Sequence, residues 1–259
     1  MYQQNTLAGK VAFIAGGTSG INLGIARGLV AVGASVAVLG RNPEKAKAAA
    51  DEIMTEVGGK AIALSADVRD PEQVQAALQE SVGQLGKIDI LISGAAGNFP
   101  APAVAINPKG FKTVIDIDLI GTYNVFHLGF NFVNKDASLI AITAPQAINP
   151  MPYQAHVCAA KAGINMLVKC LALEWGPAGL RVNGISPGPI DGTEGADRLA
   201  PIGPIRDAMI SKIPSRRIGV LKDIADAAIY LGSDLGKYVN GSILTVDGGT
   251  ELGDASLDC

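Results

Sequence analysis

The chain has 259 residues, of which 48% are hydrophobic and 17% are charged. This balance excludes a disordered chain, and the length suits one large domain with a substantial core. Lysine and arginine number 21 against 24 aspartate and glutamate residues, so the net charge of −3 gives no reason to expect a nucleic-acid partner. Aromatic residues make up only 5% while glycine occurs 32 times, which favours closely packed α/β layers.

Membrane, secreted and metal-binding classes are also disfavoured. The mean hydropathy of +0.30 is high, yet no uncharged apolar run reaches the ~18 residues that a membrane helix needs. The first ten residues are polar and lack the pattern of a signal peptide. Cysteines (Cys158, Cys170, Cys259) and histidines (His127, His156) are too few and too scattered to predict a disulfide framework or a metal site. We therefore expect a cytoplasmic protein with no bound metal.

Strand-like and helix-like segments alternate along the whole chain. The predicted strands are Val11–Ala15, Ser35–Leu39, Ala61–Ser65, Ile88–Ile92, Leu139–Thr143, Val182–Ser186 and Ser242–Val246. The predicted helices are Ile21–Val32, Pro43–Val57, Pro71–Gly83, a long one over about Pro108–Asn134, Ala155–Trp175 and Asp223–Leu231. The strands are apolar throughout, as expected when helices cover both faces of a parallel sheet. The sequence therefore predicts a single α/β domain with a doubly wound, seven-stranded, Rossmann-like parallel sheet. An irregular segment at about 187–217 is interpreted as a lid.

A glycine-rich turn, Gly16-x-x-x-Gly20, lies between the first strand and the first helix. Glycine lets the backbone approach a pyrophosphate there, and the helix N-terminus faces that anion. Arg41 follows the second strand, where an acidic residue would hold the ribose of NAD(H), and an arginine instead pairs with the 2′-phosphate of NADP(H). The predicted cofactor is therefore NADPH. The other cofactor contacts predicted near these strand ends are Thr18, Ser19, Ile21, Asp67, Val68, Ala95, Ala96 and Gly97.

Several motifs occur in a characteristic order: the glycine turn, Asp67, Ala95-Ala96-Gly97, Lys161, Pro187-Gly188 and Asp247-Gly248-Gly249. This order resembles the short-chain dehydrogenase/reductase family over essentially the whole chain. The resemblance implies a ribose contact from Lys161 and additional cofactor contacts from Pro187, Gly188, Ile190 and Thr193. One departure is Asn22, which stands where the family usually has a third glycine and is expected to perturb the turn slightly.

The active-site positions depart further from the family. Members that reduce carbonyls carry a tyrosine four residues before the lysine, so that the ammonium lowers the pKa of the phenol. Here Val157 stands at that position, Ala144 replaces the serine and Asp118 replaces the asparagine, so only Lys161 remains. In these departures, and in the segment 187–195, the chain is similar to the 2,4-dienoyl-CoA reductases, and the peroxisomal type most of all.

That resemblance implies NADPH-dependent reduction of a conjugated dienoyl-CoA thioester. Hydride addition to the far end of the conjugated system spreads charge into a dienolate, which is protonated on carbon rather than oxygen. We expect Asp118 to orient the water that supplies this proton, Asp247 to assist and Lys161 to hold the ribose. The residues expected near the substrate are Arg69, Phe99, Asn107, Lys109, Tyr153 and Arg198, with the lid arginines facing the coenzyme A phosphates. The family resemblance implies a homotetramer, and the apolar helix Val157–Leu173 by itself implies burial against a partner subunit, as in a homodimer or homotetramer.

Two other functions remain open on the sequence alone. The protein is a carbonyl or alcohol oxidoreductase if Tyr153, eight residues before Lys161, acts as a relocated acid. It is a catalytically silent dinucleotide-binding protein if the replaced tyrosine and serine are not compensated. His156 lies about 140° around the helix from Lys161, and we interpret it as structural or in contact with substrate.

Overall fold

The computed structural model describes residues 2–193 and 203–256, so Arg198 lies outside the described residues. Its strands are β1 Val11–Ala15, β2 Ser35–Gly40, β3 Lys60–Ser65, β4 Ile88–Ser93, β5 Val133–Ile142, β6 Arg181–Pro187 and β7 Ile243–Val246. Its helices are α1 Gly20–Ala31, α2 Pro43–Glu56, α3 Pro71–Leu85, α4 Pro108–Ile115, α5 Gly121–Gly129, α6 Ala155–Trp175, α7 Pro204–Lys212 and α8 Leu221–Gly232.

The strands form one parallel sheet in the order β3-β2-β1-β4-β5-β6-β7. The chain winds outward from β1 to β3 and then from β4 to β7, and the reversal between β1 and β4 creates the crevice where ligands bind in such sheets. This architecture confirms the predicted doubly wound, Rossmann-like single domain.

The central strand β1 shows why both faces of the sheet must be covered. Its residues are all buried and alternate in direction, so Ile14 packs into one core layer and Phe13 into the opposite one. The first layer includes Ile25 of α1 and Ile224 of α8. The second layer includes Phe126 of α5, together with residues of α3 and α6. Uniformly apolar strands are therefore the sequence signature of burial on two sides.

The structure corrects the prediction of one long helix over Pro108–Asn134. Helices α4 and α5 run into one another through a π-helical turn at Asp116–Ile120, and the helix ends at Gly129. A Cβ at Gly129 would lie 2.3 Å from a methyl group of Leu91, so the chain is pressed against the sheet at this point.

Strand β5 consequently begins earlier than predicted. Val133 already pairs with Ile88, and the register then shifts before Ser138 pairs with Ile90. The bulge contains Asp136 at a φ of +67°. Polar residues at this bulge interrupt the apolar pattern, which is why the sequence predicted only the second half of the strand.

The predicted irregular segment at 187–217 is also corrected in part. Strand β6 extends to Pro187, and the described part after residue 202 contains α7, with Pro204 in its first turn. Below α7, Ile213 and Ile218 form a small buried cluster with Met209. The role of this segment as a lid stays a prediction.

Helix α6 is long and apolar enough, with its extension to Ala178, to cross a membrane by length and composition alone. In the fold it packs against β6, α4 and the π-helical turn, and it carries Lys161 into the interior. Its inner face therefore belongs to the core of the domain.

Candidate active site

A cavity of about 270 Å³ opens at the carboxyl end of β1. Gly16 has a φ of +81°, and a Cβ there would lie 2.7 Å from the backbone nitrogen of Ala95, so only glycine allows this close approach. Ser19, the N-cap of α1, makes no side-chain capping bond. The cavity is lined by Gly16, Thr18, Ser19, Asn22, Leu39, Gly40, Arg41, Ala66, Val68, Gly94, Ala95 and Ala96. A backbone cradle at a helix N-terminus fits a dinucleotide pyrophosphate.

Asn22 reverses the expectation that it perturbs the glycine turn. Its side-chain amide donates to the carbonyl oxygen of Gly16 at 3.2 Å and to that of Gly94 at 2.8 Å. It therefore ties the loop after β1 to the loop after β4, on either side of the cavity. The sequence signal was present as a departure from the glycine pattern, but only the fold brings Gly94 within reach.

The outer end of the cavity carries opposite charges. Arg41 is exposed at the rim and makes no ion pair within the described residues. The side chain of Arg69 forms a bidentate pair with Asp67, with Nε to Oδ1 at 2.9 Å and Nη2 to Oδ2 at 2.5 Å. This hydrogen bonding holds the pKa of the Asp67 carboxyl below its usual value. Arg69 is thus engaged by Asp67, which is predicted to lie at the adenine end, while Arg41 remains available for an anion.

Asp118 is completely buried in the π-helical turn. Its Oδ1 accepts the backbone N–H of Gly97 at 2.7 Å, and its Oδ2 lies 3.3 Å from Nζ of Lys161. Lys161 is 6% exposed and also donates to the carbonyl oxygen of Ile142 at 3.2 Å. The structure therefore brings together two predicted catalytic residues, from α6 and from the helix opposite, as a buried ion pair beside the β4 loop.

A pair of buried hydroxyl groups supports the position of Asp118. Thr122 Oγ1 donates to the backbone carbonyl oxygen of Asp118 at 2.6 Å, and Ser93 Oγ donates to Thr122 Oγ1 at 3.1 Å. A π-helical turn disturbs the regular backbone pairing of a helix, and the threonine hydroxyl satisfies a carbonyl group within it. The sequence analysis missed this role for Ser93 and Thr122, because a π-helical turn has no clear sequence signature.

The positions of the missing tyrosine and serine are apolar in three dimensions as well. Val157 is buried against Val114 and Ala160, and Ala144, two residues beyond the end of β5, has no polar side chain. The neighbouring Thr143 is 3% exposed, and its hydroxyl donates to Asn165 at 2.7 Å. The threonine is thus engaged with α6 and does not replace the serine.

Asp247 occupies the turn after β7. Its Oδ1 accepts the backbone N–H of Gly249 at 2.8 Å and its Oδ2 that of Glu251 at 2.7 Å. Both oxygens therefore already support the local turn. Its Cα also lies 2.6 Å from where a Cβ of Gly188 would stand, so it packs on the predicted cofactor segment. Its assisting role in catalysis stays a prediction.

The remaining predicted cofactor residues lie around the cavity rather than in its lining. Ile21 lies in the first turn of α1, is partly buried and packs against the first core layer. Ile190 is 3% exposed and pairs with Gly219 as an isolated bridge. The hydroxyl of Thr193 donates to the Ile190 carbonyl oxygen at 2.7 Å, and its methyl group lies 3.9 Å from where a Cβ of Gly20 would stand. The segment after β6 thus reaches the N-terminus of α1.

The predicted substrate residues gather at the N-terminus of α4. Asn107 caps this helix by accepting the N–H of Gly110 at 2.8 Å, and Lys109 is exposed in the first turn. Phe99 packs on Gly110, where a Cβ would lie 3.1 Å from its Cζ. Tyr153 has a φ of +65° and a side chain 60% exposed. Phe99, Asn107 and Lys109 thus lie together at the start of α4. The carbonyl oxygen of Tyr153 accepts the N–H of Ala101, in the loop that precedes α4, at 2.9 Å.

The lid cations that the structure describes are largely engaged within the protein. Arg206 pairs with Asp191 at 2.6 Å, and Arg217 pairs with Asp223 at 2.6 Å. Lys212 lies 3.4 Å from Asp254. These three cations therefore already have carboxylate partners within the protein. Their contact with a coenzyme A phosphate stays a prediction. The prediction for Arg198 lies outside the described residues. Within residues 2–193 and 203–256, no group of His, Cys, Asp and Glu side chains is suited to hold a metal ion.

Comparison with known proteins agrees with this geometry. The family described as enoyl-(acyl carrier protein) reductase matches residues 15–251. The chain is 38% identical over 258 residues to the peroxisomal 2,4-dienoyl-CoA reductase of Danio rerio, covering 99% of this chain and 86% of that protein. It is 40% identical over 252 residues to the corresponding enzyme of Saccharomyces cerevisiae, covering 96% and 86%. A crystal structure of a short chain dehydrogenase from Bacillus anthracis superposes with a TM-score of 0.86 at 37% identity, over 95% and 98% of the two chains.

The chain belongs to the short-chain dehydrogenase/reductase family, as the sequence predicted. It is an oxidoreductase, and the family implies a nicotinamide dinucleotide cofactor. The glycine cradle, the N-terminus of α1 and Lys161 are the groups that would hold it.

The Asn22 contacts lead to a test of the cradle. Asn22→Ala removes both hydrogen bonds between the two loops, so we expect cofactor affinity to fall by up to about thirtyfold, since each lost bond costs ~1 kcal/mol and ~1.4 kcal/mol is tenfold. Fluorescence titration of bound nicotinamide cofactor measures this change. Asn42→Ala, which removes an N-cap on α2 outside the cavity lining, is the control. Unchanged affinity in Asn22→Ala would show that the loops hold their positions without it.

Proposed function

We propose that this protein is an NADPH-dependent reductase of conjugated 2,4-dienoyl-CoA thioesters. The observation that carries the proposal is the buried Asp118–Lys161 pair beside positions that lack both family hydroxyls, namely Val157 and Ala144. The printed names of the relatives from Danio rerio and Saccharomyces cerevisiae support it.

The proposed chemistry follows from the side chains present at the catalytic positions of the family. Reduction of a ketone creates an alkoxide that needs a proton on oxygen at once, and a positioned phenol normally supplies it. Val157 cannot do so. Reduction of a dienoyl thioester delocalises the charge, and the dienolate takes its proton on carbon, so that a held water is sufficient. The bound nicotinamide dinucleotide supplies the hydride.

In this proposal Asp118 holds the water. One of its oxygens accepts the Gly97 N–H, and the other faces the Lys161 ammonium. The Gly97 contact fixes the carboxylate beside the loop that follows β4, and the Lys161 ammonium lies within ion-pair distance of its other oxygen. Lys161 in turn is oriented toward the ribose by the carbonyl of Ile142.

The proposed assembly is a homotetramer or homodimer, supported by an apolar stripe on the outer face of α6. Met166 is 60% exposed and Leu173 is 81% exposed, and they continue a line of small residues at Ala155, Ala159 and Ala162. A stripe of this kind on a 21-residue helix suits burial against a second copy. The cytoplasmic location stays a prediction.

A substrate panel tests the proposed activity. NADPH absorbance is followed with 2,4-dienoyl-CoA, 2-enoyl-CoA and ketone substrates. We expect kcat/KM to be at least about tenfold higher for the dienoyl thioester, a difference of ~1.4 kcal/mol in transition-state stabilisation. Preferred turnover of ketones would instead favour Tyr153 as a relocated acid. No turnover with any substrate, despite cofactor binding, would favour the silent dinucleotide-binding protein.

The exposed and unpaired Arg41 predicts the cofactor preference. NADPH should bind at least about tenfold more tightly than NADH, because the guanidinium pairs with the 2′-phosphate. Arg41→Ala should remove most of this difference, and added salt should reduce it by screening. Calorimetric titration measures both affinities. Lys47→Ala removes the same charge from α2 outside the cavity lining and should leave the preference intact. Equal affinities in the unmodified protein would reject the assignment.

The role of Asp118 predicts a graded loss of turnover. Asp118→Ala should lower kcat by about 10²-fold or more, the usual scale for positioned proton transfer. Asp118→Asn should lose less, because an amide oxygen still accepts the Gly97 N–H and still holds a water. Steady-state kinetics measure the loss of turnover. Melting temperatures show whether a variant is destabilised because Lys161 is left buried without its partner carboxylate. Turnover of a folded Asp118→Ala within threefold of the original would make Asp118 a structural carboxylate.

A further inference from the structure

The proposed reaction requires a hydrogen-bond donor that the active site has not yet provided. Charge develops on the thioester oxygen as the dienolate forms, and such charge is stabilised by donors positioned in advance. Ala144 and Val157 carry no donor. The ammonium of Lys161 is already bound between a carbonyl oxygen and the Asp118 carboxylate.

His156 is a buried imidazole without a hydrogen bond. It is 0% exposed, and neither Nδ1 nor Nε2 has a partner among residues 2–193 and 203–256. Leaving a buried polar group unsatisfied costs on the order of 1–3 kcal/mol, and such groups often mark functional positions. Two other buried donors in the described part of the chain lack partners, Arg27 Nε and Ser81 Oγ, but neither lies on an element that holds Asp118 or Lys161.

His156 lies about 140° around α6 from Lys161, so its connection to the reaction site is through Phe99 and the loop that follows β4. It lies in the first turn of α6, directly before Val157, and about 7.5 Å along the helix axis from Lys161 at ~1.5 Å per residue. Its ring centroid is 4.3 Å from that of Phe99. Phe99 is two residues from Gly97, whose N–H holds Asp118.

Phe99 is a partly exposed side chain that packs against the imidazole. One edge of its ring packs on Gly110 in α4, and the ring also contacts His156. The side chain is nevertheless 37% exposed and belongs to a loop, so it is held by contacts that an entering acyl group can replace. Rotation of this ring would open the imidazole to a ligand.

We propose that His156 donates an imidazole N–H to the thioester oxygen of the bound substrate, in place of the family's serine and tyrosine hydroxyls. This inference rests on the proposed function. A hydride from the nicotinamide cofactor adds to the far carbon of the diene, and the π electrons shift onto the thioester oxygen. A proton from the water held by Asp118 then forms a C–H bond, the carbonyl re-forms and solvent restores the proton to the water. One C=C bond is lost, and His156 keeps its proton throughout.

The test begins with His156→Phe, which keeps an aromatic ring against Phe99 and removes the donor. We expect kcat with a dienoyl-CoA substrate to fall about 10²-fold, as for loss of one oxyanion donor, with NADPH affinity and melting temperature retained. His127→Phe is the matched control, since His127 is the only other histidine in the sequence and lies exposed on α5, stacked on Tyr123. It should keep full activity.

A pair of unreactive ligands separates a direct contact from a structural role. A saturated acyl-CoA thioester and the matching thioether differ only in the carbonyl oxygen. The wild type with bound NADP+ should prefer the thioester by about tenfold, the upper scale for one such hydrogen bond. His156→Phe should remove this preference. A histidine with only a structural role would change both affinities equally, and that result would overturn the proposal.

The outcomes distinguish this inference from the proposed function. If the wild type reduces dienoyl-CoA and a folded His156→Phe keeps kcat within threefold, the inference is wrong and the function stands. If the wild type reduces no dienoyl thioester, the function fails, and a lack of thioester preference then removes His156 as well. Should His156→Phe fold poorly, His156→Gln retains an N–H donor and should keep kcat within about tenfold. A greater loss in a folded Gln variant would also overturn the proposal.

Discussion

The active site depends on the hydrogen bond and the opposite charge that stabilise one buried carboxylate. Asp118 is removed from water completely, and an ionised carboxylate in that position is stable only with an opposite charge and hydrogen bonds around it. The Gly97 amide provides one contact and the Lys161 ammonium the other. Because Lys161 also binds the end of β5 through Ile142, this single pair joins α6, the π-helical turn, the β4 loop and the centre of the sheet. Loss of either partner would leave the other charge buried, so the geometry of the site and the packing of four elements are linked.

The same pair is central to the chemistry proposed for this protein, which differs from that of carbonyl reductases of the family. A tyrosine beside the lysine provides a proton for oxygen, whereas Val157 provides only apolar surface in the layer with Val114 and Ala160. The ammonium is then free of the task of lowering a phenol pKa, and it faces the carboxylate instead. A site with a carboxylate, an ammonium and no hydroxyl donor at the reacting oxygen suits protonation of carbon through water. It also leaves the need for an oxyanion donor, which connects the buried His156 imidazole to the proposed reaction.

Much of the site was predictable because the motifs stand at strand ends. The carboxyl ends of parallel strands meet at one edge, so the sequence predicts that Gly16, Arg41 and Ala95 belong to one cofactor site. All three line one cavity. The stabilising contact of Asn22 could not be predicted, since its side chain donates to the carbonyl oxygen of Gly94, 72 residues away. The internal partners of the lid cations could not be predicted for a similar reason. A sequence shows the charges of Arg206 and Arg217 but not the carboxylates of Asp191 and Asp223 that engage them.

The sequence by itself determined the doubly wound sheet, the position of the cofactor turn and the absence of the family's tyrosine and serine. These follow from local composition, from the alternation of strand and helix signals, and from fixed spacings along one helix. Only the tertiary structure decided the π-helical turn that presents Asp118, the hydroxyl pair of Ser93 and Thr122 that supports it, and the burial of His156 behind Phe99. Each of these depends on contacts between residues far apart in the chain, and the free energy of such contacts is set by burial and distance, which no local pattern encodes.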